Sequence, residues 1–211
     1  MDQLLRGYDR FRRTYWHDHQ HEFAERAQQG QSPWAMVVAC CDSRVPPEII
    51  FDCAPGEIFV VRSIANLIPT YAPDMANHGT SAALEYAVKE LNVRQIILLG
   101  HSLCGGIRAL VQGSASKPAD FIGIWMNIAA EAGQKARTAL HEHGNFDAAC
   151  RFCEQESLRI SLSNLMTFPW IKSRVIGGIL NINGFHFDMV NGDLEQIHPP
   201  VYKHREEAAR V

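Results

Sequence analysis

Two short segments concentrate residue types that could do chemistry: Cys40-Cys-Asp-Ser-Arg44 and Gly100-His-Ser-Leu-Cys104-Gly-Gly106. His101 and Cys104 are three apart, a spacing that puts both on one side of a helical turn and lets both reach one metal ion. Gly105 and Gly106 would let the backbone turn tightly there and approach a ligand. A third ligand from the first segment completes a Cys₂His set, which with one open position is a catalytic zinc arrangement. Thiolate and imidazole together favour zinc over magnesium or calcium. Adjacent strand residues point to opposite faces, so only one of Cys40 and Cys41 is expected to serve, and spacing leaves the two tied.

Asp42 and Arg44 flank Ser43 just past the first segment's strand. Extended geometry would put both side chains on one face, where an Arg–carboxylate pair is directional and can be bidentate. Such a pair keeps Asp42 ionised, an acceptor only. A fixed acceptor beside a metal-bound hydroxide accepts a hydrogen bond from its remaining proton and repels oxyanions that carry none.

Other features carry less. Taken singly, H-x-x-C and D-S-R read as a core cysteine and a strand-end ion pair; both at strand ends of one sheet point to a zinc site. Gly100-His-Ser-Leu-Cys104 departs from a G-x-S-x-G nucleophile elbow at its last position. No segment marks out a partner among His141, His143, His186 and His198. Cys150 and Cys153 form a C-x-x-C within a helical pattern and read as helix-face thiols. His17, His19 and His21 alternate in a charged, solvated stretch, and Cys53 reads as structural.

The elements that must position these residues follow from apolar periodicity. Trp34–Ala39, Ile58–Val61 and Gln95–Leu99 are short, nearly all-apolar runs, which suits strands covered on both faces, and 175–182 is a weaker fourth. Leu84, Ala87, Val88 and Leu91 share a helical face, with Thr80 or Ser81 as cap. Asp120 to His143 predicts a long helix ending at Gly144, and Asn145 to Phe168 another, stopped by Pro169. Phe187–Val190 and Asp193–Ile197 around Asn191-Gly192 predict a hairpin with a type I′ turn. The alternation predicts an α/β domain: a mainly parallel central sheet flanked by helices, with a C-terminal antiparallel edge hairpin. Active sites in such sheets form beyond the carboxyl ends of strands, where both segments fall. Residues 1–30 predict an N-terminal helical arm whose apolar stripe (Leu4, Leu5, Tyr8, Phe11, Tyr15, Trp16) needs a partner, and 31–211 a single α/β domain.

Apolar residues make up 46% of the 211 residues, charged residues 20%, and the net charge is −3. Neither a nucleic-acid partner nor a polybasic membrane contact is expected from that balance. Charges interrupt the first residues, so no signal segment is expected, and no apolar run could span a bilayer. The expectation is a cytoplasmic protein whose six cysteines are thiols or metal ligands.

The two segments together, C-x-D-S-R with H-x-x-C-G-G, resemble the β-class carbonic anhydrases. Similarity runs from about Gly30 to the C-terminal hairpin, through Arg62-Ser-Ile-Ala-Asn66, Glu85-Tyr-Ala-Val88 and Ser161-Leu-Ser-Asn-Leu165. The resemblance implies Cys40, His101 and Cys104 as ligands of one zinc per chain, Cys41 at a variable position, and Asp42 with Arg44 as the catalytic dyad. It implies that Asp42 itself can turn onto zinc in a closed state. In the plant-like branch, Gln31, nine residues before the first ligand, would hydrogen bond substrate. Phe59, Ile64, Tyr86 and Gly105 would line the pocket, Ile64 standing where Val is common. Some of these would reach across a dimer interface, so a homodimer or higher homo-oligomer is implied. A second branch has an inhibitory bicarbonate site with Trp three positions before the first ligand. Here that residue is Val37, and Arg62, similar to another member of that site, stands without it.

The implied reaction is reversible hydration of carbon dioxide to bicarbonate and a proton by a zinc-bound hydroxide. A carbonyl sulfide or carbon disulfide hydrolase on the same scaffold, and a non-catalytic zinc-containing bicarbonate sensor, are the alternatives.

Overall fold

A computed structural model of the chain describes residues 1–114 and 121–198. Two helices, α1 (Asp2–Arg13) and α2 (Tyr15–Gln29), form a hairpin ahead of the sheet. Neither buries a residue, and Leu4, Leu5 and Tyr8 are more than half exposed. The hairpin packs mainly on itself, through Phe11, Tyr15 and Phe23, whose rings meet at 6.1 to 6.4 Å.

Five strands follow: β1 (Ala35–Cys40), β2 (Ile58–Ser63), β3 (Gln95–His101), β4 (Asn181–Phe187) and β5 (Leu194–Ile197). Their order is β2-β1-β3-β4-β5, parallel except for the β4–β5 pair. β1 lies between β2 and β3 and is wholly buried, as its unbroken apolarity requires. The first three strands lie where the apolar runs predict them.

Between the strands run α3 (Pro47–Ile50), α4 (Gly79–Glu85), α5 (Gly105–Val111), α6 (Ile122–Met126), α7 (Ala130–His143), α8 (Phe146–Leu165) and α9 (Pro169–Ile176). On one face of the sheet Met36, Val38, Ile96 and Leu98 pack with Leu84 and Val88 and with Leu158, Leu162 and Leu165 of α8. α8 lies so close that a Cβ on Gly100 would come within 2.8 Å of Leu158 and one on Gly184 within 3.0 Å of Leu162. The other face is thinner: Val37, Ala39 and Leu99 are buried, while Ile58, Val60, Ile97 and Phe185 around them are only partly covered.

Several expectations are corrected. The apolar run 175–182 is not a strand over its length. Val175 and Ile176 end α9, Gly178 at φ 68° turns the chain, and β4 starts at Asn181. An unbroken apolar run cannot distinguish a buried helix end from a strand. Pro169 does not merely stop α8 but occupies the first turn of α9, where its missing N–H costs nothing. The helix predicted from Asp120, itself outside the described residues, divides into α6, a 3₁₀ turn (Asn127–Ala129) and α7. Its two parts dock separately: the Trp125 indole N–H donates to the Ile64 carbonyl, while Gly133 presses on Leu110 of α5. Gly144 ends α7 at φ 68°, as expected.

α4 begins at Gly79, so Thr80 and Ser81 fall inside its first turn and neither caps it. A π-helical turn (Tyr86–Glu90) continues it. The C-terminal antiparallel pair is present, but its turn is not type I′. Asn191 lacks the positive φ that turn demands. Asp188 and Asp193 close a longer loop, and the Asp188 carboxylate accepts from Val190 and Asn191 N–H.

Candidate metal centre

β1 and β3 lie side by side and parallel, so their carboxyl ends bring Cys40 and His101 together. Cys104 arrives from the loop that leads into α5. One ligand atom from each of the three lies within 4.8 Å of the others. All three residues are buried, at 5%, 1% and 3% exposure. Cys41, just past the end of β1, is exposed, so burial breaks the tie between the neighbouring cysteines in favour of Cys40.

The turn that delivers Cys104 is made by Leu103, a non-glycine at φ 58°, rather than by the glycines after it. The left-handed region costs an ordinary residue roughly 1–2 kcal/mol, and the surroundings hold it there. Ser102 N–H donates to Phe187 O, Ser102 Oγ accepts from Met189 N–H, Leu103 O accepts from Arg44, and Cys104 N–H donates to Glu154. Ser102 is thus a buried splice to the end of β4, which is no place for a nucleophile. Gly106 is closely approached: a Cβ there would meet Ile64 at 3.3 Å and Ala65 at 3.5 Å. A Cβ on Gly105 would meet nothing within 4 Å, so space beside Cys104 is open.

The donor set fits zinc. His101 Nδ1 lies 2.9 Å from Ser102 O, and a carbonyl only accepts, so Nδ1 carries the proton and Nε2 presents a lone pair. Nε2 is buried without a hydrogen-bond partner among the described residues, an orphan that a metal ion would satisfy. Metal-bound histidines commonly donate their other N–H in this way. The sulfurs of Cys40 and Cys104 are 4.0 Å apart, free and far outside bonding distance. Two Zn–S bonds of ~2.3 Å at a tetrahedral angle would set sulfurs about 3.8 Å apart. Donation from Cys104 lowers the Cys40 thiol against its burial, and the same donation, with burial, raises Cys104. A divalent cation removes that conflict by letting both be thiolates.

Asp42 and Arg44 form a bidentate pair, Nε to Oδ1 at 2.9 Å and Nη2 to Oδ2 at 2.7 Å. Arg44 N–H adds a third bond to Oδ1 at 3.0 Å. The pairing arises from a turn, with Val45 N–H donating to Asp42 O, and not from the extended geometry expected. These bonds hold the Asp42 carboxyl well below the usual carboxylate range. Arg44 also bonds Leu103 O, which fixes the pair to the ligand loop. Arg62 donates to the carbonyls of Cys40, Asp42 and Val45, so its donors staple the end of β1.

Gln31, Phe59 and Tyr86 are not brought to the cluster within the chain. Phe59 pairs with Met36, four residues before Cys40 on β1, and at 3.3 Å per residue that is about 13 Å along the sheet. The Tyr86 ring lies 6.0 Å from Phe59, and Gln31 is exposed just before β1. The sheet therefore has a Gln31–Phe59–Tyr86 end and a Cys40–His101–Cys104 end. Ile64, at the end of β2, is on the cysteine side and opens onto an apolar groove of about 600 Å³ with Phe121, Ile122, Ile124, Trp125 and Ile128.

Glu154 escapes notice in the sequence, and His186 stands there only as one of several histidines that no segment marks out. Glu154 lies on the buried face of α8 at 4% exposure; one oxygen accepts from Cys104 N–H at 3.1 Å, the other meets His186 Nε2 at 3.0 Å. The available signal was a carboxylate in register with Cys150, Leu158 and Ser161 on a helix stripe that is otherwise apolar or small. Cys150 and Cys153 are buried thiols on the same stripe, and burial pushes Cys153 up to about 12.

The family model described as carbonic anhydrase matches residues 35–194. β carbonic anhydrase 3 of Arabidopsis thaliana is 39% identical over 171 residues, covering 79% of this chain but 65% of the relative's own length. Among solved structures, the β-carbonic anhydrase CcaA superposes with a TM-score of 0.85 at 29% identity, covering 96% of this chain and 93% of that one. A structure reported for two tetrameric β-carbonic anhydrases of the ascomycete Sordaria macrospora gives 0.78 at 26% identity, covering 93% and 95%.

Proposed function

From the premise that this chain belongs to the β-carbonic anhydrase family, we propose that it catalyses the reversible hydration of carbon dioxide to bicarbonate and a proton. The observation that carries this reading is one juxtaposition: the Cys40–His101–Cys104 cluster beside a carboxylate locked to an arginine. A site that merely folded around a metal would have no use for that carboxylate.

Cys40, His101 and Cys104 are the residues that would hold zinc. Zinc acts as a Lewis acid that lowers the pKa of water from about 15.7 toward 7, which supplies a nucleophile near neutral pH. Asp42, kept ionised by Arg44, offers only acceptor oxygens. It therefore orients a group that carries a proton, such as the attacking water or the hydroxyl of bicarbonate, and rejects anions without one. In a closed state Asp42 would leave Arg44 and become a further metal ligand. Ile64 and Gly105 would border the space for carbon dioxide.

Gln31, Phe59 and Tyr86 would serve the site of a second copy. Their place at the opposite end of the sheet supports that reading, because no single chain could close its own pocket with them. The active form is then at least a homodimer, in keeping with the tetrameric relatives. The exposed arm of residues 1–30 would lie on the partner, covering apolar side chains that stand open among the described residues of its own chain. Among the described residues no helix is long and apolar enough to cross a membrane. We read the chain as cytoplasmic, supported by six free cysteines, two of which must stay reduced to bind metal.

Metal analysis and stopped-flow carbon dioxide hydration on one purified sample test the proposal. Zinc near one per chain, with chelator-sensitive turnover that rises through mildly alkaline pH, is expected. Full zinc occupancy without turnover would overturn it in favour of a sensing role.

A further inference from the structure

We infer that Glu154 is a positioning residue for the zinc ligand Cys104, anchored in turn by His186; this rests on the reading of Cys40, His101 and Cys104 as zinc ligands. A carboxylate this buried, 3% exposed at its side chain, costs stability unless its oxygens are satisfied. Both are, and by groups from different elements: Cys104 N–H in the ligand loop and His186 on β4. The carboxylate can only accept, so His186 Nε2 carries the proton and donates.

The bond to Cys104 acts at the weakest point of the site. Cys40 and His101 end paired strands, and the ladder fixes their backbones. Cys104 has no ladder. It follows Leu103 at φ 58°, in a conformation that costs free energy and would relax if released. Glu154 pins the N–H of the residue that must return its sulfur to within 4.0 Å of Cys40. His186 sits level with Gly100 in the β3–β4 register, one residue before His101, and so ties the carboxylate to the strand that carries the second ligand. The residue thus couples α8, β4 and the loop in one rigid unit behind the metal.

The experiment compares wild-type chain with Glu154→Gln, Glu154→Leu and Glu154→Asp. Zinc dissociation constants come from competition with a chromophoric chelator. Melting temperatures are taken with and without zinc, and visible spectra on the Co²⁺-substituted protein. Loss of an outer-shell partner typically costs about 10–100-fold in metal affinity. Glu154→Leu is expected to fall in that range, to shift the thiolate-to-Co²⁺ band, and to lose part of the melting-temperature gain that zinc gives. Glu154→Asp, a methylene too short to reach both partners, is expected to follow it and serves if the leucine variant does not fold. Glu154→Gln keeps an oxygen for Cys104 N–H and is expected to stay within roughly threefold of wild type. A leucine or aspartate variant that binds zinc as tightly as wild type with an unchanged Co²⁺ spectrum overturns the inference, and so does a glutamine variant as weak as leucine. Wild-type protein that binds no zinc would instead overturn the ligand reading beneath it.

Discussion

At Cys104 and Asp42 the same few ångströms divide into two jobs. Cys104 supplies a sulfur to a three-donor set whose geometry leaves no spare ligand. Cys104→Ser is therefore expected to cut bound zinc from near one per chain to a small fraction, read by metal analysis after gel filtration. Asp42 gives both oxygens to Arg44 and donates nothing to the cluster. Asp42→Asn is expected to retain zinc while losing hydration by about 10²-fold or more, the usual scale for an oriented proton-handling group. Stopped-flow rates at wild-type level in that variant would remove the dyad from the mechanism. Both residues could be named from the sequence, because C-x-D-S-R and H-x-x-C concentrate scarce chemistry at strand ends. Glu154 could not. A glutamate in a helix reads as surface until the helix is docked and its neighbours are known.

Elements deliver these residues through backbone contacts that local patterns do not encode. The β4–β5 loop shows why. Asn191-Gly192 between apolar segments suggests a two-residue turn, but Asp188 captures the N–H groups of Val190 and Asn191 and pairs with Arg151, so a longer loop forms. Those bonds, the backbone N–H of Val190 foremost, hold the Asp188 carboxyl below its ordinary value. A lowered carboxylate stabilises the fold above its unfolded pKa, about 3.9, and loses that contribution as pH falls through the folded value. Asp188→Asn is thus expected to melt lower than wild type at pH 7, with the gap shrinking steadily below about pH 4. A gap that stays constant down to pH 2 would mean that the charge does not matter there. The same loop presents Met189 to Ser102, so its integrity bears on the ligand segment.

For the whole molecule, the decisive fact is the separation of Gln31, Phe59 and Tyr86 from the cysteine end of the same sheet. If a working site needs one end from each of two chains, defects at opposite ends should complement. Coexpressed Cys104→Ser and Tyr86→Ala chains are expected to recover roughly a quarter of wild-type hydration. On random pairing half of the dimers are mixed, and each mixed dimer carries one intact site. Homodimers of either variant should be far less active. Absence of recovery in proven mixed dimers would count against shared sites. The unburied α1–α2 arm gives the same association a physical motive, since among the described residues its apolar stripe is uncovered and the thin face of the sheet is only partly covered.

By itself the sequence determined the fold class, the first three strands and the identity of the metal-binding chemistry. Unbroken apolar runs leave few options but buried parallel strands, and thiolate with imidazole leaves few options but a soft metal. Tertiary structure decided what depends on direction and distance. It turned Cys40 inward and Cys41 out, and made Leu103 rather than a glycine bend the ligand loop. It also placed Glu154 behind Cys104 and set Gln31, Phe59 and Tyr86 at the far end of the sheet from the Cys40–His101–Cys104 cluster. Residue types and spacings encode which groups are present, whereas only packing of distant segments fixes where each group points and what it meets.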